Sequence, residues 1–193
     1  MPKEDASRWN ARYSGNTRYS TFERPRPFLT SLVDYLPETG IALDIAMGLG
    51  GNAGFLISRG LRVVGVDISE VAARRAKQRL PELMAVLADL ERFYLPAEIF
   101  DAILNFFYLQ RDLWPAYVQA LRPGGILVFE TLTQEMWTHQ PEIEARYLLA
   151  PGELSHAFPE LETLVYEEGW TESEAGFPRA VARLLARKPS SQV

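Results

Sequence analysis

The stretch Ala42-Leu43-Asp44-Ile45-Ala46-Met47-Gly48-Leu49-Gly50-Gly51-Asn52 limits what this chain can fold into more than any other segment. A short apolar run, Ile41 to Ala46, carries one acid and breaks into a glycine-rich turn. Residues 52–59 follow with a helical apolar pattern (Ala53, Phe55, Leu56, Ile57), which Gly60 ends. Strand, tight turn and helix in this order aim backbone N–H groups of a helix N-terminus at whatever lies over the turn. Glycine at 48 and 50 permits positive φ and removes Cβ atoms that would block a ligand. An ordinary strand-to-helix turn commonly holds one glycine. Two of them, with an acid inside the strand before and another at Asp67, point to a nucleotide-type cofactor site.

The 193 residues read most simply as one domain. Within it, 1–30 is expected to be a helical lid segment, 31–188 the cofactor-binding domain and 189–193 a flexible tail. A hydrophobic share of 47% against 23% charged residues is the balance of a globular protein with a real core. The net charge of −5 argues against nucleic acid or an anionic membrane as partner, because both need a concentrated basic face. The basic cluster Arg74, Arg75, Lys77 and Arg79 reads as the solvated face and C-terminal end of one helix. The absence of cysteine excludes disulfides and thiolate chemistry, and two histidines make a multi-histidine metal site improbable, so no metal is expected. The first residues lack the apolar segment of a signal peptide and no run approaches the ~20 apolar residues of a membrane span. The expected location is the cytoplasm.

Apolar strand patterns alternate with helical ones through the first two thirds. Strands are expected at Ile41–Ala46, Leu61–Asp67, Met84–Ala88, Phe100–Phe106 and Ile126–Thr131. Ser69 is placed as the N-cap of a helix through Leu80, and residues 112–121 as a helix ended by Arg122-Pro123-Gly124-Gly125. The alternation implies a single doubly wound α/β sheet with right-handed crossovers. Leu161–Glu168 and Ala180–Lys188 are strand-like, joined by a loop over Gly169–Arg179 too short for a long helix, and so pair antiparallel. The expectation is a seven-stranded, mostly parallel sheet with an antiparallel last strand.

Four features fall at the C-terminal ends of successive strands, where open α/β sheets bind ligands. These are the glycine turn, Asp67 nineteen residues after Gly48, Ala88-Asp89-Leu90, and Asn105-Phe106-Phe107-Tyr108. Asp67 can accept both hydroxyls of a ribose, and Asp89 an exocyclic amine of adenine. Taken singly, Asp89 reads as a surface acid and Tyr108 as a core aromatic; their common edge is what shifts the balance. Gly48 to Ala53 also satisfies the relaxed G-x-G-x-x-G/A dinucleotide pattern, so a nicotinamide site and an oxidoreductase stand as alternatives. Against them, Asp44 puts an anion where a pyrophosphate would approach, and the terminal hairpin replaces the sixth parallel strand.

Asp44-x-x-x-Gly48-x-Gly50, the acids after strands two and three, Arg122-Pro123-Gly124-Gly125 and the hairpin together resemble the class I S-adenosylmethionine-dependent methyltransferases, over roughly residues 35–188. Gly48–Asn52, Tyr147–Leu154 and Tyr166–Gly169 are most similar to the tellurite-resistance and thiopurine methyltransferase type. The resemblance implies S-adenosylmethionine bound by Asp44, Ala46, Gly48, Gly50, Asn52, Asp67, Ile68, Ala88, Asp89, Leu90, Asn105 and Phe106. It also implies a small acceptor, either a soft sulfur, selenium or tellurium nucleophile or a hydroxyl. Met47 stands where the family often has cysteine and Gly51 where arginine is frequent, both beside the methionine moiety. The lack of an Asn-Pro-Pro-Tyr-like motif after strand four disfavours nitrogen of a nucleobase or amide as acceptor. A non-catalytic cofactor binder would show lost ligand residues, and none is lost.

Trp9, Arg12 and Tyr13 share a helical face in the leader, where Arg12 can pair with the cofactor carboxylate; a helix merely packed on the rim is the alternative. The acceptor pocket is expected from Tyr13, Tyr19, Phe107, Tyr108, Trp137 and Tyr147. An oxygen acceptor needs a positioned base. His139, Glu130 and Tyr108 are candidates, with His139 read more readily as a surface histidine, and no catalytic base is assigned. His156, in an expected Pro151–Phe158 helix, is taken as structural. Oligomeric state stays open between monomer and homodimer.

Overall fold

A computed structural model describes residues 2–15, 22–173 and 176–190. A seven-stranded sheet organises them in the order β3-β2-β1-β4-β5-β7-β6. The strands are β1 (Ile41–Ile45), β2 (Arg62–Asp67), β3 (Met84–Leu87), β4 (Phe100–Phe106), β5 (Leu121–Leu132), β6 (Glu162–Glu172) and β7 (Pro178–Arg187). The first five run parallel, and β7 lies antiparallel between β5 and β6. This is the expected mixed sheet.

Alternation along the strands separates two core layers. Leu43, Ile45, Ile103, Leu127, Phe129 and Leu184 face one side, against Leu113 and against Tyr117 and Ala120 of α5 (Trp114–Ala120). Ala42, Ala102, Leu104, Val128 and Leu185 face the other. There they meet α2 (Pro27–Ser31) through Phe28 and Leu29, and α3 (Gly51–Ser58) through Ala53 and Leu56. Ala73 and Ala76 of α4 (Glu70–Arg79) complete that layer. Ser69 caps α4 by accepting from Ala72 N at 3.1 Å, as its sequence position indicates.

Three expectations move. The segment before β5 is a 3-10 turn at Arg111–Leu113 followed by α5, with the chain already extended at Leu121. The loop drawn over Gly169–Arg179 is mostly strand: Trp170 pairs with Ala180, Thr171 with Arg179 and Glu172 with Pro178. Cross-strand pairing overrides the turn signal of Gly169, and Pro178 is tolerated as first residue of its strand. A 3-10 helix, Glu153–His156, stands where a longer helix around His156 was expected.

The basic cluster of α4 is also more than a solvated face. Arg79 Nη2 donates to Leu49 O at 2.7 Å and Arg75 Nη1 to Tyr13 O at 2.8 Å, while Arg74 pairs with Glu70 at the surface. Two of these cations therefore fasten the glycine turn and α1 (Pro2–Gly15) to α4.

Candidate active site

The C-terminal strand ends and the leader enclose a cavity of about 780 Å³. That is within the ~300–1,000 Å³ usual for ligand sites, and roomy for a nucleoside-sized group with a small second molecule. Ala46 and Phe107 follow β1 and β4, neighbouring strands, and both hold positive φ (50° and 56°). Such backbone costs ~1–3 kcal/mol for a residue with a side chain and concentrates at functional sites. Hydrogen bonds hold it in place at β4. Phe107 N donates to Glu130 O at 2.8 Å, and Asn105 Nδ2 to Tyr108 O at 2.7 Å.

The glycine turn is built from both sides. Gly48 has φ 55°, and a Cβ there would stand 2.9 Å from the Tyr13 hydroxyl. Gly50, the residue before α3, has φ 73° and faces away from the cavity; its Cβ would press on Ala76 of α4 at 3.2 Å. A Cβ on Gly51 would fall 2.1 Å from Arg24 O, so the leader runs directly over the start of α3. Asn52 Oδ1 anchors that crossing by accepting from Arg26 N at 2.9 Å. The arginine frequent in related turns has no room at 51; the passing leader brings Arg24 and Arg26 to the cavity instead. Met47 lines the cavity, yet its sulfur lies 2.1 Å from where a Gly65 Cβ would be, packed onto β2.

Asp67 is buried, with Oδ2 accepting from Gly48 N and Oδ1 from Ser69 N, each at 2.8 Å. Burial raises its pKa, opposed by those N–H donors. Each oxygen keeps a further lone pair for a ligand. Asp44 is 1% exposed and lines the cavity, and its Oδ2 has no hydrogen-bond partner. Desolvation pushes its pKa up to about 7. An orphaned buried carboxylate oxygen is costly and asks for a donor from outside the chain.

Of the residues expected from sequence, Arg12, Asp44, Ala46, Gly48, Asn52, Asp67, Ile68, Asp89, Leu90 and Phe106 line this one cavity. Gly50, Ala88 and Asn105 do not. Asn105 is spent inside the fold, where its Oδ1 accepts from Tyr117 Oη at 3.1 Å. Among the aromatic residues, Tyr13, Phe107, Tyr108 and Tyr147 line the cavity, whereas Trp137 is at the surface with Nε1 donating to Ile143 O. Tyr19 lies outside the described residues.

The candidate bases fare worse. His139 is exposed, edge-on to Trp170 at 4.9 Å between ring centroids, and Glu130 is buried beside Arg183 at 3.5 Å; neither lines the cavity. Tyr108 does, but burial and the nearby acids Glu91 and Asp89 raise its pKa and keep it protonated, donating to Gln110. His156 is held by Ser155 and Gly152 O. Among the described residues no cluster of three or more histidines and acids is set to hold a metal, and no helix is long and apolar enough to cross a membrane.

Sequence reasoning missed Arg24, Arg26, Arg146 and Arg179 in the lining. The run Arg24-Pro25-Arg26-Pro27, an extended cationic segment just before the sheet, was the available signal for the first two.

α1 reaches the cavity by docking on α4. Asn10 Oδ1 accepts from Ser69 Oγ at 2.7 Å and from Val71 N at 3.2 Å, while Tyr13 packs with Leu49 and Ala72. Trp9 stacks on Tyr13 at 5.6 Å, and the Arg12 guanidinium lies 4.8 Å from the Trp9 ring centroid.

Residues 42–125 match the model of a methyltransferase domain. A curated trans-aconitate 2-methyltransferase of Azoarcus sp. (strain BH72) is 33% identical over 102 residues, which is 49% of this chain and 40% of that protein. The chain thus spans less than half the length of such relatives. Among solved structures, the N-methyltransferase NodS of Bradyrhizobium japonicum WM9, in complex with S-adenosyl-L-homocysteine, superposes with a TM-score of 0.74 at 19% identity, covering 96% of this chain and 98% of that one. TehB of Haemophilus influenzae gives 0.71 at 18%, covering 84% and 62%. The match over residues 42–125 is to a methyltransferase domain, and the sheet that carries these residues has the same fold as those two structures.

Proposed function

We propose that the cavity binds S-adenosylmethionine across the ends of β1 to β4 and passes its methyl group to a small-molecule acceptor. The orphaned Asp44 Oδ2 carries this reading: a buried anion beside the glycine turn suits the ammonium of an amino acid and repels a pyrophosphate. Asp67 receives the ribose hydroxyls, Asp89 and Leu90 bracket the adenine, and Ile68 and Phe106 give it apolar walls. The cofactor supplies a methyl already activated by its sulfonium, so the chain has to orient, enclose and exclude water. α1 is the lid of this site, with Arg12 taking the cofactor carboxylate.

The acceptor carries a hydroxyl, another oxygen or a soft sulfur, selenium or tellurium atom. A relative named for trans-aconitate, a small organic acid, supports the small-molecule class. Calorimetric titration of the full chain with S-adenosylhomocysteine and with NAD tests the reading. Binding of the first alone is expected; binding of NAD in its place overturns it in favour of an oxidoreductase.

A further inference from the structure

Asp44 does not stay an anion unaided. Its side chain is 1% exposed and one carboxylate oxygen has no hydrogen-bond partner, and such a group in a dry site takes up a proton. Burial raises its pKa, the Ala53 N–H of α3 opposes that, Asp67 at the end of β2 adds to it, and Arg26 of the leader opposes it again. On the other side of β1, β4 sets Leu104 opposite Asp44, and α1 brings Asp5, Arg8 and Arg12 to the same cavity. The balance falls at about 7, so the carboxyl is poised at neutral pH. A neutral Asp44 has no charge with which to hold an ammonium.

Several contacts fix Arg26. It stands in extended backbone before Pro27, with φ −68° and ψ 139°. Its N–H donates to Asn52 Oδ1 at 2.9 Å, one residue before Ala53, so neighbouring residues of α3 fasten the leader and favour the Asp44 anion. The Arg26 guanidinium carbon lies 4.7 Å from the Phe22 ring centroid and 4.9 Å from that of Phe107, and both rings line the cavity with Arg26 and Asp44. Phe107 holds φ 56°, with its N–H tied to Glu130 O at 2.8 Å. Strain of this kind persists where the surroundings over-determine it, and here it sets a ring against the guanidinium. Buried Glu130 is a second acid on which Arg26 acts, after Arg183.

We propose that Arg26 is a positioning residue of the cofactor site: held against the rings of Phe22 and Phe107, it is the counter-ion that keeps Asp44 charged in the free protein, ready for the ammonium of the incoming cofactor. This rests on the S-adenosylmethionine reading of the same cavity. Two opposed effects come from the one cation. Below the Asp44 midpoint Arg26 helps binding, because it keeps the carboxylate ionised. Above it the carboxylate is charged in any case, and Arg26 only repels the arriving ammonium. A residue that merely packed the leader onto α3 would act alike at both pH values.

The test pairs a carbon-13 NMR titration of the Asp44 carboxyl in the free full chain with calorimetric binding of S-adenosylhomocysteine at about pH 6 and about pH 8.5. Arg26→Leu should raise the Asp44 midpoint by about half a pH unit or more and weaken S-adenosylhomocysteine about threefold or more at the lower pH. At the higher pH its affinity should equal or exceed that of the unaltered chain. The ligand's own titration is common to both proteins and cancels. Arg26→Lys keeps the charge without the flat guanidinium and should restore most of the midpoint. If the Arg26→Leu protein does not fold, Arg26→Gln carries the same expectations. An unmoved Asp44 midpoint, a midpoint as high in Arg26→Lys as in Arg26→Leu, or an equal change of affinity at both pH values would each overturn the proposal. Failure of S-adenosylhomocysteine to bind the unaltered chain would instead overturn the cofactor reading, with the Asp44 midpoint still deciding whether Arg26 is its counter-ion.

Discussion

The two halves of the cavity are made in different ways. The half over β1, β2 and β3 is acidic and local: Asp44, Gly48 and Asp67 lie within one strand-turn-helix-strand unit, in which Gly48 N donates to Asp67 Oδ2. The half over β4, β5 and β7 is cationic and assembled from afar, with Arg26, Phe107 and Arg179 meeting only after the sheet has closed. A chain of net charge −5 thus brings two arginines, Arg26 and Arg179, to one ring of its cleft. The difference teaches that the acidic half, to which we assign the cofactor, is a property of a supersecondary unit. The cationic half is a property of the whole fold.

The sharpest way to separate the halves is Asp44→Asn. On the proposed reading, removing this buried anion should weaken S-adenosylhomocysteine binding by ~2–5 kcal/mol, read by calorimetry, without lowering the melting temperature of the free protein. Unchanged affinity would break the comparison, since the acidic half would then not be the cofactor's.

A pH series sharpens the same point. Desolvation holds the folded pKa of Asp44 up at about 7, above the ordinary carboxyl value of 3.8, so the folded state holds the proton more tightly than the unfolded state. Stability of the free protein should therefore fall as pH rises from about 4 to about 7, by no more than ~4 kcal/mol from this group. Burial shifts Asp67 and Glu130 in the same direction. S-adenosylhomocysteine should bind more tightly across that range as Asp44 ionises, and Asn at 44 should flatten the slope of denaturation midpoint against pH.

Smaller effects belong to α1, proposed above as the lid. Deleting residues 1–20 removes α1, which buries Tyr13 and meets the body through Asn10 and Tyr13. The remainder should fold and bind S-adenosylhomocysteine about tenfold more weakly, ~1.4 kcal/mol. Undiminished affinity would return α1 to mere packing. Ser69→Ala should cost ~1 kcal/mol in denaturant unfolding through the lost α4 cap, with slightly weaker cofactor binding because Asn10 loses a donor.

Legibility followed the same division. The strand ends, the glycine turn and Asp67 could be read because period-two patterning and turn chemistry operate over a few residues. Even there, Gly50 and Asn105 were assigned to the ligand when each serves the fold, Gly50 by making room for α4 and Asn105 by fastening Phe107's turn to α5. A residue's place on a strand end is visible in sequence, whereas the direction in which its polar atoms are satisfied is not.

By itself the sequence determined the mixed seven-stranded sheet and the acid-glycine-acid core of the cavity, since each rests on neighbours along the chain. Only the tertiary structure decided that Gly51 is small to let the leader pass, that His139 and Glu130 stand away from the cavity, and that Arg26 and Arg179 share Phe107. Those outcomes depend on which strand β7 pairs with and where the leader crosses the start of α3. Contacts of that kind are fixed by packing between distant segments, and no local pattern encodes them.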